Sequence, residues 1–228
     1  MMKSMAAYRE LVAKIDSLVR RIRDRYGMHI ECRKGCAECC TPAFKVFPVE
    51  AWAVKEALHR VPRSHQEVLL SKARNPMGES CLALEDGSCL IYPLRPVLCR
   101  THGFPLLIQA EQGGPEVLFC KRNFSGQGLK KITIAGDCVI HLENLNFAVT
   151  AINSLFTKEW MDRGLGDLPC RVDILHFLAI PSERTDSPHE AFEESTCALR
   201  NRRPITGERS RPRCWENFND EDVDKPMS

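Results

Sequence analysis

Apolar residues open the chain at helical spacing. Tyr8, Leu11, Val12, Ile15, Leu18, Val19 and Ile22 recur with Arg and Lys between them, and the pattern predicts an amphipathic helix over about residues 5–26. Gly27 is placed to end it. Glu10, Asp16 and Asp24 interrupt the basic side, so that side reads as a solvated face rather than a surface for nucleic acid or membrane.

Further along, Pro48 suits a first helical turn, and Trp52, Val54, Ala57 and Leu58 continue a helix-like pattern from Val49 to Arg60, closed by Pro62. A short helix is predicted over Ser64 to Ala73, before Asn75-Pro76 breaks the pattern. From Cys81 to Pro105 the breakers Asp86-Gly87, Pro93, Pro96, Gly103 and Pro105 are too frequent for a long element, so the cysteines there lie on turns and short helical pieces. Phe104 to Ala110 and Glu116 to Cys120 flank Gly113-Gly114-Pro115 and suggest a small β-hairpin. Asp137 is placed to N-cap a helix running to about Asp162. Its apolar side is predicted to be Val139, Leu142, Leu145, Phe147, Ala148, Ile152, Leu155 and Phe156, with Gly164 and Gly166 ending it. Arg171 to Ile180 is a further apolar segment of open type, terminated by Pro181.

From Ser182 the composition shifts to Glu, Arg, Ser, Pro and Asn, so 182–228 is expected to be a flexible or loosely docked C-terminal extension, with Cys197, Cys214 and Trp215 as its exceptions. Residues 1–181 are then expected to form a single domain. Its fold class is mostly α, with irregular cysteine-bearing loops and a small β-hairpin.

The chain has 228 residues, 43% hydrophobic and 27% charged, which fits one globular domain with an appendage. Its 32 Lys and Arg nearly balance 30 Asp and Glu, leaving a formal net charge of +2, so no overall field draws it to nucleic acid or an anionic membrane. Twelve cysteines change the picture. They admit disulfides, metal ligation or redox catalysis. The N-terminus carries charge throughout and lacks an apolar core and a small-residue cleavage site, and no apolar run approaches the ~18 residues of a membrane span. The expected compartment is therefore the reducing cytoplasm, where clustered cysteines are ligands more often than staples.

Cys32, Cys36, Cys39 and Cys40 place four sulfurs in one short run. Thiolates bind soft or borderline ions, and about four of them close a zinc site or hold an iron–sulfur cluster. Adjacent cysteines such as Cys39 and Cys40 point in different directions, so either the turn is sharply folded or the pair serves two centres. Cys81, Cys89, Cys99 and Cys120 form a second group, and together the eight suffice for two four-coordinate centres or for one cluster with thiols to spare. Cys138, Cys170, Cys197 and Cys214 are isolated, and Cys138 on an apolar segment reads as a small core residue.

The run ECRKGCAECC, followed by CLALEDGSCLIYPLRPVLCRTHGFP, resembles the YkgJ-like cysteine-cluster family of zinc- or iron-chelating CxxxCxxCC domains. The likeness covers about residues 30–125 and includes the block from Cys89 to Arg100. It implies metal ligation by Cys32, Cys36, Cys39, Cys40, Cys81, Cys89, Cys99 and Cys120, and a role of the kind labelled Fe–S oxidoreductase. Iron–sulfur, of 4Fe–4S type, is preferred over zinc because Arg95 and Arg100 flank Cys99, where cations offset thiolate charge and tune a potential. The alternative for both arginines is pairing with helix carboxylates to hold the turn. His102 is an alternative ligand, but eight better-placed thiols leave it an ordinary surface or hydrogen-bonding role. A radical-SAM reading fails for want of β/α alternation, and Gly126-Gln127-Gly128 lacks a surrounding nucleotide fingerprint. The expected function is metal binding with a redox or protein-maturation role on a protein partner, the alternative being a structural zinc module without catalysis.

Overall fold

The first helix, α1 (Lys3–Tyr26), forms where the apolar spacing predicts it and buries Met5, Tyr8, Ile15, Ile22 and Tyr26 along one side. The opening N–H groups of a helix have no acceptor within it. Here the Glu159 carboxylate, far along the chain, accepts from Lys3 N at 2.9 Å, Ser4 N at 3.2 Å and the Ser4 hydroxyl at 2.6 Å. The other end falls where the sequence places it, at Gly27. Gly27 keeps a right-handed φ of −55°, and the chain continues as a 3-10 turn, Gly27–His29, which hands it on toward the first cysteine.

The computed structural model describes residues 2–33, 35–40, 44–76, 78, 80–110, 113–124 and 133–180, all within one unit, Met1–Glu193. The expected extension at 182–228, with Cys197 and Cys214, and the Gly126-Gln127-Gly128 stretch lie outside these residues.

α2 (Pro48–Glu56) starts at its proline, but the helix expected to reach Arg60 breaks at Ala57 and resumes as a 3-10 turn, Leu58–Arg60. Pro62, expected only to close that helix, is also the N-cap of α3 (Arg63–Arg74). The strands β1 (Leu84–Glu85) and β2 (Ser88–Cys89) then pair antiparallel around Asp86-Gly87. Both turn residues have positive φ, 44° and 71°, as a tight hairpin with the right-handed twist of its strands requires. A 3-10 turn, Tyr92–Leu94, leads into the short helix α4 (Val97–Thr101).

The expected hairpin is β3 (Leu106–Gln109) against β4 (Pro115–Leu118). A third strand that the periodicity does not reveal, β5 (Ile140–His141), lies parallel on the other edge of β3. It displaces the expected start of the long helix: Ile140 N donates to Pro105 O, and α5 (Leu142–Met161) begins after His141 rather than at Asp137. Asp137 instead pairs with Arg25 at 3.4 Å and Arg21 at 3.7 Å on α1.

The buried row of α5 is Leu145, Val149, Asn153, Phe156 and Trp160. Phe147, expected on the apolar side, is 78% exposed, and Leu155 is exposed as well. The spacing of the buried row, in steps of four and three residues, sets one face toward the core, and both residues fall off that face. Gly164 and Gly166, at φ +73° and +80°, follow the helix end as predicted. The open segment after Arg171 contributes a bridge from Val172 to Val46 and the one-turn helix α6 (His176–Ala179).

Trp52 of α2, Trp160 of α5 and Phe177 of α6 meet with ring centroids 5.2 to 5.3 Å apart, mostly edge to face. Such contacts add about 0.5–1.5 kcal/mol per pair beyond the area they bury. No helix among the described residues is long and apolar enough to cross a membrane.

Candidate metal centre

Cys32 follows α1 and its 3-10 turn outside helix and strand, so its N–H needs another acceptor. The buried Asn123 supplies it. Its Oδ1 accepts from Glu31 N at 2.9 Å and Cys32 N at 3.0 Å, while its Nδ2 donates to Gly103 O. Cys120 N donates to the same Gly103 carbonyl at 3.4 Å, and Asn123 N to Cys120 O at 2.8 Å. Three distant stretches are thereby fastened at Gly103. A Cβ on that residue would lie 3.3 Å from Asn123 Nδ2, 3.4 Å from Cys120 Cβ and 3.5 Å from Cys32 Sγ, and its φ of +88° is one that side chains resist. Cys32 Sγ also stands 4.0 Å from His102 O, while the His102 side chain is exposed.

The next cysteines sit on a compact turn. Cys36 N donates to Arg33 O at 3.0 Å, and Cys40 N to Ala37 O at 2.9 Å within a 3-10 turn, Glu38–Cys40. Glu38 pairs with Arg122 at 2.5 Å, which holds this turn against the one carrying Cys120. On its far side Cys81 N donates to Cys40 O at 3.0 Å. The β1–β2 hairpin brings Cys89 back beside Cys81, because Leu84 pairs with Cys89 and Leu84 N donates to Cys81 O. Cys99 lies on α4, whose first N–H, at Val97, is accepted by the buried Glu50 carboxylate at 2.9 Å. The other Glu50 oxygen takes Phe47 N at 3.0 Å.

Arg95 and Arg100 separate into two roles. Arg100 binds both oxygens of Asp16 on α1, at 2.8 and 2.9 Å, and donates to the carbonyls of Pro93 and Arg95. It is the brace that fixes the turn. Arg95 donates to Tyr92 O and Cys99 O and lies 3.7 Å above the Tyr92 ring. Its charge acts on Cys32, Cys39, Cys89 and Cys99.

Burial and mutual repulsion keep most of these thiols protonated. Burial pushes Cys32, Cys81 and Cys89 up, and Cys99 up to about 12, with neighbouring thiols adding to each. Cys39 is raised chiefly because its S–H donates to Cys40, and the same bond lowers Cys40. Among the described residues no three His, Cys, Asp or Glu side chains already converge as a metal would hold them. The donor set nevertheless fits a thiophilic metal. All eight are free cysteines, and a metal that displaces their protons supplies the attraction that draws thiolates inward. Cys138 is buried in the core and Cys170 is exposed.

Spacing alone does not point to Asn123, Gly103, Glu50 or the Glu38–Arg122 pair as supports. For Glu50 a signal exists, since it stands three residues after Phe47, where a side chain can reach back to the N–H of a helix's N-cap.

No curated protein and no solved structure matches the chain. A family model does match, over residues 31–121, and it spans all eight cysteines. That segment is similar to the CxxCxxCC family, described as a "putative zinc- or iron-chelating domain".

Proposed function

We propose that the clustered thiols hold iron–sulfur of 4Fe–4S type, four thiolates to each cluster, and that the chain transfers electrons to a protein partner or takes part in its maturation. The observation that carries this reading is Arg95. Its guanidinium is anchored by two carbonyls and a tyrosine ring, and its charge reaches thiols from both halves of the motif. A fixed cation beside a thiolate-rich centre offsets its negative charge and raises its potential. When bound, such a cluster supplies one-electron chemistry, and the residues around it orient the thiols and set the local charge. The free cysteines agree with work in a reducing compartment such as the cytoplasm.

One observation favours a second reading, structural zinc. The cysteine-bearing segments are two-residue strands, 3-10 turns and a five-residue helix. Such pieces gain order from a closed tetrahedral centre without any redox step.

The visible spectrum and metal content of anaerobically purified protein separate the two. Broad absorption that bleaches on reduction is the expected result. A colourless protein with stoichiometric zinc would overturn the redox reading, and a protein without metal would overturn both.

A further inference from the structure

The adjacent pair Cys39–Cys40 lies where two differently fastened groups of cysteines meet. On one side, Cys40, Cys81, Cys89 and Cys99 are all mutual neighbours: Cys40 senses the charge of the other three, Cys89 senses Cys81, and Cys99 senses both Cys81 and Cys89. Their backbones explain the grouping. Cys81 N is bonded to Cys40 O, the β1–β2 hairpin returns Cys89 beside Cys81, and Glu50 fixes the start of the helix that carries Cys99.

On the other side, Cys32 Sγ and Cys120 Cβ stand against one point, the vacant Cβ position of Gly103. Asn123 fastens both stretches there. The thiols whose charge acts most on Cys32 are Cys36 and Cys39. The Glu38–Arg122 pair holds the Cys36–Cys40 turn against the Cys120 turn.

We propose that the eight thiols form two separate four-thiol metal sites, Cys32/Cys36/Cys39/Cys120 and Cys40/Cys81/Cys89/Cys99, which meet at the Cys39–Cys40 peptide. This inference rests on the metal-binding reading and goes beyond it by dividing the ligands. Cys39 is the boundary residue, within electrostatic reach of Cys32 on one side and of Cys81 and Cys89 on the other. Its place follows from coordination number. A closed thiolate site takes four ligands, the second group is complete without Cys39, and the first is one short without it. On metal binding both thiols of the pair lose their protons, the hydrogen bond between them disappears, and each thiolate turns to its own group.

The test uses reduced, metal-free full-length chain titrated anaerobically with Zn²⁺ and read by native mass spectrometry. Two zinc ions per wild-type chain are expected. One is expected for the double variant Cys81→Ser/Cys89→Ser and one for Cys32→Ser/Cys36→Ser. A single zinc in the wild type, or a folded double variant that holds two or none, would overturn the division. A wild type that binds no zinc under these conditions would overturn the metal reading itself. Should a double variant lose its helical circular dichroism, cadmium NMR of the wild-type chain decides. Two resonances in the thiolate region support two sites, and one overturns them.

Discussion

The two ends of α1 face different kinds of structure. Its first turns pack with α2 and α5, whose Trp52 and Trp160 meet Phe177 of α6, and order there comes from buried apolar area and ring contacts. Its last turn leads to the cysteine loops, where the described elements are short and order comes from individual polar fastenings: Asn123, Glu38 with Arg122, Arg95 and Arg100. The helical region is complete as it stands. In the cysteine region polar bonds position the backbone, and the protonated thiols add little order of their own. A metal should therefore stabilise one region and leave the other nearly indifferent.

The sharpest way to break the contrast is in the aromatic cluster. Trp160→Ala removes a buried ring and the bond from its Nε1 to Leu165 O, and a loss of about 3–5 kcal/mol is expected. Chemical denaturation should give the same loss with and without metal. Glu50 joins the regions, because its carboxylate accepts from the N-cap N–H of α2, at Phe47, and from the first N–H of α4, at Val97. Glu50→Ala leaves both donors without an acceptor, at about 1–3 kcal/mol each. Glu50→Gln, which keeps one acceptor oxygen, should lose about half as much in the same denaturation assay. Asn123→Ala belongs to the cysteine region. It should cost about 2 kcal/mol in the metal-free chain and measurably less once zinc is bound, because the metal then holds Cys32 and Cys120 where the amide did. An equal loss in both states would show that the fastening and the metal act independently.

The smallest effect is on pH dependence. Burial raises Cys32, Cys81, Cys89 and Cys99 in the folded metal-free chain. A raised thiol contributes its full stability below the unfolded value of about 8.5 and loses it as pH climbs through the folded value. Metal-free protein should therefore weaken between about pH 8.5 and the value of about 12 at Cys99, with the lowered Cys40 offsetting part of the loss. The metal-bound chain, whose thiols are already deprotonated, should show no such decline in thermal unfolding followed across that range.

Much of the helical region could be read from the chain, since α1 and α3 follow apolar spacing and α2 announces itself with Pro48. The errors arose where a non-local partner outweighed local pattern. β5 exists because β3 lies beside it, and its pairing moved the start of α5 past Asp137. Phe147 reads as core by hydrophobicity but faces outward, because the face of α5 is chosen by α1 and α2. In the cysteine region the spacing disclosed the donors but not their supports. Asn123 is an ordinary polar residue until the fold sets it between Cys32 and Gly103, and Arg95 and Arg100 look equivalent until Asp16 claims one of them.

The central claim is that the segment at 31–121 holds its metal through cysteine sulfur. X-ray absorption at the edge of whichever metal accompanies the anaerobically purified chain tests this most directly. The account predicts an all-sulfur nearest shell from the protein, about four sulfurs per metal, diminished in Cys36→Ser and Cys99→Ser. A shell of nitrogen and oxygen, or one that both substitutions leave unchanged, would contradict it.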